Sequence, residues 1–216
     1  MKINFFYLLV FSFLISVSWV SASNINIESD KLNIIDRGKK NEFVGNVKIS
    51  GDGLSVLSAR AVSEIESGMV MATGGVKIKF SSGTMKLEGE SREAEIDDTN
   101  KEISLKGDVQ AIYHTTQEEP IMTYSDQMGV YYRDPRSAVF TGKVRVEREG
   151  MYILSEKVVF LETEEEIVFT GNPRGESQDE SDRAEYSGDL IRVSSDGERI
   201  SIEGDARVLL EIQHES

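Results

Sequence analysis

Apolar and polar residues alternate singly along most of the chain. Ile103, Leu105, Gly107, Val109, Ala111 and Tyr113 share one face, while Ser104, Lys106, Asp108 and Gln110 hold the other. Val70, Ala72, Gly74, Val76, Ile78 and Phe80 repeat the pattern, as do Ile200, Ile202, Gly204, Ala206, Val208, Leu210 and Ile212. Successive side chains leave a strand on opposite sides, so a period of two marks a β-strand with one buried face. Weaker runs such as Val158-Val159-Phe160 and Leu190-Ile191-Arg192-Val193 fill the intervals. No stretch sustains apolar residues at helical spacing, and the chain is predicted all-β. Turn-forming clusters at Ser50-Gly51-Asp52-Gly53, Ser81-Ser82-Gly83, Asp97-Asp98-Thr99-Asn100, Arg133-Asp134-Pro135-Arg136 and Ser195-Asp196-Gly197 separate the runs. The intervals are too short for helical crossovers, so the strands are predicted mostly antiparallel. Gln117 to Pro120 and Gly175 to Ser181 read as short polar linkers, neither long enough to demand a domain boundary.

Inside the alternation, one glycine recurs. Gly45, Gly74, Gly107, Gly142, Gly171 and Gly204 are spaced by 29, 33, 35, 29 and 33 residues, so the last three repeat the first three at a constant offset of 97. This predicts one domain built from two related three-unit blocks, about 25–120 and 121–216. Glycine in a strand interior is costly and marks a bulge, a bend or a close backbone approach. Bends stacked at one level would fold the sheet over into a trough with its apolar face inside; a closed sandwich with relieved crowding fits the same residues. Pro173 follows Gly171 closely, and proline lacks a ladder donor, so that unit is expected at an edge or at a break in pairing. Ser29-Asp30 and Ser125-Asp126 read as turn chemistry at strand starts.

The first twenty-two residues differ from the rest. Lys2 precedes an apolar run from Phe5 to Val20, and Val20-Ser21-Ala22 supplies a small-residue cleavage pattern before Ser23. As a helix the run covers roughly 24 Å, short of a ~30 Å hydrocarbon core. A cleaved secretory signal over 1–22 is expected, with a retained anchor as the alternative. Cleavage between Ala22 and Ser23 would leave 194 residues, and loss of Lys2 takes the formal charge from −14 to −15. Such an acidic chain disfavours nucleic acid and anionic membrane surfaces. With no cysteine, the domain has neither disulfides nor thiolate metal ligands. His114 and His214 stand a hundred residues apart, no nucleophile–histidine–acid order or nucleotide loop appears, and acidic runs such as Glu162 to Glu166 fall among turns. No enzyme, cofactor or metal site is expected. The chemistry left over is an apolar face larger than soluble monomers leave bare, which calls for an apolar ligand or a protein partner.

Two segments carry a family resemblance. INIESDKLNIIDRGKKNEFVGNVKI (25–49) and SDQMGVYYRDPRSAVFTGKVRV (125–146) resemble the OstA-like periplasmic lipopolysaccharide transport family, LptA-like members above all. The likeness covers 25–172 directly and the remainder through the 97-residue repeat. It implies a folded-over antiparallel β-jelly-roll, located in the periplasm, that carries lipopolysaccharide acyl chains in an open trough. It further implies partners: an inner-membrane LptC-like component, an outer-membrane LptD-like translocon and further copies joined head to tail. By motif, Ile25 and Ile27 match first-strand apolars near the trough entrance, and Val130 and Tyr132 match a lipid-facing pair. The alternation adds Val47, Ile49, Val76, Ile78, Phe80, Val109, Val144 and Val146 as lipid-facing or core. Six glycine units exceed the expectation for a short LptA-type chain, which keeps open a membrane-anchored LptC-like protein. A structural β-repeat protein that binds only protein partners is the reading from a different class. Unpaired first and last strands, near Ile25–Ser29 and Arg199–Ile212, are expected to join copies end to end.

Overall fold

The computed structural model describes residues 25–83, 85–114, 119–132, 136–179 and 182–212. The Ala22–Ser23 cleavage site, Arg133-Asp134-Pro135, Gln117-Glu118 and His214 lie outside the described residues. Among the described residues two short strands come first, β1 (Asn26–Glu28) and β2 (Lys31–Ile35), followed by a 3-10 turn at Asp36–Gly38. Eight long strands come next: β3 (Lys40–Gly51), β4 (Leu54–Glu64), β5 (Met69–Ser82), β6 (Met85–Asp97), β7 (Glu102–His114), β8 (Ile121–Tyr131), β9 (Ser137–Arg148) and β10 (Met151–Leu161). Six shorter ones complete it: β11 (Glu166–Thr170), β12 (Arg174–Asp179), β13 (Asp182–Ser187), β14 (Leu190–Ser194), β15 (Ile200–Glu203) and β16 (Arg207–Ile212). All strands belong to one sheet, the long ones pairing in sequence order. The described pairs are antiparallel, for example β5 on β6 and β7 on β8. The described hairpin tips fall at the turn clusters 50–53, 81–83, 97–100 and 195–197 read from sequence, with further tips at Glu64–Met69, Arg148–Met151 and Leu161–Glu166.

The repeated glycines fold this sheet over. All six have positive φ, from 69° at Gly204 to 87° at Gly74, and the residue after each of the first five is also in the left-handed region. At each one the ladder breaks register, as between Val44 and Val47 on β3 opposite Arg60 and Ser58 on β4. A second series, of which the sequence reading picked out only Ser29 and Ser125, faces them. Ser29, Ser58, Ser91, Ser125 and Ser155 each donate their hydroxyl to the carbonyl two residues on, at 3.0, 3.1, 2.8, 2.9 and 3.2 Å. A backbone that turns a corner takes carbonyls away from their cross-strand donors, and the serine supplies a replacement. The residue after each serine packs under the facing glycine; a Cβ on Gly142 would lie 2.5 Å from Asp126 Oδ2. Ser125-Asp126 therefore sits at a corner inside β8 and not at a strand start.

The corners align into a ridge that divides the sheet into two facing leaves. The first leaf holds β1, β12, β13 and β16 with the adjoining halves of the long strands. The second holds β2, β11, β14 and β15 with the other halves. At Pro173 the ladder is interrupted. β10 pairs through Lys157–Leu161 with β11 and through Met151–Leu154 with β12, on either side of Gly171–Pro173. Gly175 to Ser181, read as a linker, falls instead largely within β12, whose Ser177 and Glu176 are in register with Ala184 and Glu185 of β13. The molecule is an all-β, folded-over antiparallel β-jelly-roll, trough-shaped and open at both ends. Among the described residues β1 and β2 pair only with β3, β15 only with β14, and β16 only with β13.

Candidate functional site: the interior of the folded sheet

Alternation places one side of every strand between the leaves. Val47 and Ile49 on β3, Val76, Ile78 and Phe80 on β5, Val109 on β7, and Val144 and Val146 on β9 line the first leaf, and Val130 on β8 lines the second; all are buried in one apolar cluster. Ile25, Ile27 and Tyr132 are half-buried against the same cluster, so the structure gathers every sequence-selected position into one place. Register explains the gathering: Ile27 faces Ile49, which faces Val56, which faces Ile78. Leu54, Leu87, Phe140, Phe160, Phe169 and Ile191 are among the further residues of the lining. The sequence reading did not select them; Leu54, Leu87, Phe160, Phe169 and Ile191 lie on strands of weaker alternation, and Phe140 lies on β9 beside the selected Val144 and Val146.

Aromatic rings bridge the leaves away from the ridge. Phe80 of the first leaf packs on Tyr132 of the second at 5.5 Å between centroids, and Tyr113 packs on Phe160 at 5.2 Å. Burial pushes the phenols of Tyr132 and Tyr113 above the usual tyrosine range; the nearby Lys101 ammonium opposes the shift at Tyr132. Two interior hydroxyls, those of Thr123 and Tyr186, are buried with no hydrogen-bond partner, and burial pushes Tyr186 up as well.

The side opposite the ridge is a rim where hairpin tips meet. Lys101, at the β6–β7 tip of the second leaf, bridges to Asp52 at the β3–β4 tip of the first (2.9 Å) and to its neighbour Asp98 (2.7 Å). Glu162, at the β10–β11 tip of the second leaf, accepts the Met85 N–H of the first (3.1 Å) and pairs with Arg136 (3.2 Å). Arg148, at the β9–β10 tip, donates to the Ser195 carbonyl across the rim (2.9 Å). Asp98 and Glu162 are the most enclosed of these carboxylates, at 10% and 11% side-chain exposure. The aspartates hold the Lys101 ammonium above the usual lysine range, the Asp98 hydrogen bond most strongly. The two ring pairs join strands three apart in order, β5 with β8 and β7 with β10. A cleft of about 480 Å³ opens at the first-leaf side of the rim, where Leu54, Phe80 and Leu87 approach Gly53, Lys79 and His114.

The two ends leave interior-facing residues bare. On β2, Leu32 faces Phe43 and Ile34 faces Asn41, with Ile34 70% exposed. On β16, Val208 faces Tyr186 and Leu210 faces Ala184, with Leu210 63% exposed. No family model matches the chain, and no curated protein matches it. Among solved structures, the chain is similar to the crystal structure of LptH, the LptA-homologous periplasmic component of the lipopolysaccharide transport device of Pseudomonas aeruginosa. The identity is 11% and the TM-score 0.30, over 89% of this chain and 99% of that one.

Proposed function

We propose that this chain is a non-enzymatic periplasmic protein that binds lipopolysaccharide between its two leaves. It would bridge an inner-membrane LptC-like component and an outer-membrane LptD-like translocon, with further copies joined head to tail. The observation that carries the reading is the continuous carbon-lined interior, running from Ile25 and Ile27 at one end to Ile191 and Ile202 at the other, with bare apolar faces at both mouths. Transfer of hydrocarbon from water to such a lining is worth about 0.8 kcal/mol per methylene, so an acyl chain needs no charge attraction from a protein of net charge −14. Resemblance of segments 25–49 and 125–146 to the OstA-like family supplies the identity of the cargo.

The test is recovery of cargo. The chain, purified from a host that has an outer membrane, should carry lipopolysaccharide, and a photo-crosslinker at Tyr132 should label it while one at the exposed ridge residue Lys143 should not. Equal labelling at both positions, or none at either, would remove the carrier reading. Light scattering over a wide concentration range should show growing assemblies, against a constant monomer mass if the ends are capped. The LptC-like alternative is checked by mass. A chain beginning at Ser23 lacks Trp19, the sole tryptophan, and intact Trp19 in the membrane fraction would favour the anchored protein.

One observation favours the rival reading of a structural repeat protein that binds only proteins. The interior is filled by the chain's own side chains, with Val47, Ile49 and Val130 fully buried. That reading predicts no co-purifying lipid from the same preparation.

A further inference from the structure

The buried serines of this molecule are all paired. Ser58, Ser91, Ser125 and Ser155 each donate their hydroxyl to a backbone carbonyl. Two other hydroxyls depart from this among the described residues: Thr123, 1% exposed, and Tyr186, 5% exposed, keep oxygens with no partner. Both belong to one row on the interior face of the first leaf. Thr123 faces Val146, Val146 faces Ile153, Ile153 faces Gly175, and Gly175 faces Tyr186. A row of register partners crosses the strands and so runs along the length of the trough. Tyr186 turns back over Gly175, its oxygen 2.9 Å from where a Cβ on that glycine would stand. The two hydroxyls are therefore three strand spacings apart, about 14 Å. On the other side of Thr123 the row stays small, with Ala111 and then Gly89, which a Leu105 methyl approaches.

A buried hydroxyl without a partner has lost its water and gained nothing in exchange, which destabilises the fold unless some further group accepts its hydrogen. Burial pushes the Tyr186 phenol above the usual tyrosine range, so it stays protonated and remains a donor, as the Thr123 hydroxyl is at any pH. We propose that Thr123 and Tyr186 are specificity-determining residues that donate to oxygen atoms carried along an acyl chain, a chain hydroxyl or an ester carbonyl. The interior would then select oxygen-bearing chains over plain hydrocarbon ones. This rests on the carrier reading, which places an acyl chain in that interior. A chain of carbon and hydrogen alone leaves both donors unpaired, whereas an acceptor at either depth pairs one of them. A site holding a buried donor discriminates steeply against a ligand that lacks the acceptor, while an apolar wall measures little more than size. Their separation makes the two donors independent points of recognition along the chain.

The test compares matched fatty acids. Palmitate and palmitates hydroxylated at successive positions along the chain compete against a fluorescent fatty acid, on the wild type, Thr123→Val, Tyr186→Phe and the double variant. The wild type should bind at least one hydroxylated isomer about tenfold more tightly than palmitate, the scale of a buried donor gaining its acceptor. Each single variant should lower that ratio and the double variant should bring it to about one, with the affinity for palmitate unchanged. Melting curves check the premise separately. Both replacements keep the shape and remove an unpaired hydroxyl, so the melting temperature should stay level or rise. A lower melting temperature would show the hydroxyls to be paired within the fold and would overturn the inference. Equal wild-type affinity for all the fatty acids, or a preference that survives in the double variant, would overturn it too; lipopolysaccharide recovered with the wild type would then leave the carrier reading standing. A wild type that binds no fatty acid overturns the inference, and with no lipopolysaccharide recovered it overturns the carrier reading as well.

Discussion

At the scale of the residue, the molecule depends on a two-part corner: a left-handed glycine on one strand and a serine with a back-turned hydroxyl on the next. A side chain at Gly142 has to hold a positive φ, a cost of about 1–2 kcal/mol, and its Cβ would meet Asp126 Oδ2 at 2.5 Å. Gly142→Ala should therefore lower the melting temperature by several degrees. Gly89→Ala, also in a strand but with ordinary φ and only a 3.4 Å contact to a leucine methyl, should cost nothing. Thermal denaturation of the two variants side by side checks whether bending or mere smallness is required. Ser125→Ala takes away the donor to the Gln127 carbonyl and should cost about 1 kcal/mol, read as a lower urea midpoint at unchanged slope. An equal loss from replacing the exposed Ser67 would show that the corner has no special claim on its serine.

At the scale of the element, the sequence was most informative where a strand has one fully covered face. β5 and β7 are legible from end to end because Val70, Val76, Ile78, Phe80, Ile103, Leu105 and Val109 all meet a facing leaf. β12 and β13 are illegible for the same reason reversed. They lie toward the end where the first leaf has no second leaf opposite, so Ser177 and Ala184 are tolerated where an interior position would otherwise demand an apolar residue. Those strands are held by pairing and by Tyr186 packed under Gly175, neither of which leaves a period in the sequence. Of the serine series, only Ser29 and Ser125 were legible, because both precede an aspartate; after the others the next residue changes to Ala59, Arg92 and Glu156, so the full repeat has a single constant letter. Alternation likewise located the interior without separating cargo-facing residues from plain core, since both have the same period. The end strands carry their own prediction. Val208 and Leu209 are consecutive in a strand paired on one side only, so one of their amides points to the free edge. Proline at each in turn should shorten assemblies in light scattering, and the edge-facing position should do so without lowering the melting temperature. Assemblies of unchanged size with both variants would mean that β16 is not the joint.

At the scale of the whole molecule, charge sets an acid limit. Hydrogen bonds from Asn33 and Arg60 hold Glu42 below the ordinary glutamate value of 4.5, as Lys40 does for Glu64 and Arg183 for Glu176. A depressed carboxylate stabilises the fold above its unfolded value and loses that contribution as pH falls through the folded one. Stability should hold or rise from pH 7 toward the isoelectric point of 4.7, as self-repulsion fades, and then fall below 4.5. Melting curves across that range test the turnover, and Glu176→Gln should flatten the acid branch, modestly because the group is exposed. The three-strand displacement at the rim has a consequence of a different kind. Because the ring pairs join first-leaf strands to second-leaf strands three places on, the second leaf overhangs at the β2 end and the first leaf at the β16 end, each by about 14 Å at ordinary strand spacing. The bare faces of Leu32 and Ile34 and of Val208 and Leu210 are those two overhangs. They have the logic of cohesive ends on cut duplex DNA: each is a single-sided projection, and the layer missing at one is the layer presented by the other. Two copies joined that way would have no blunt junction, and the seam between the leaves would cross from one molecule to the next with its pitch unbroken.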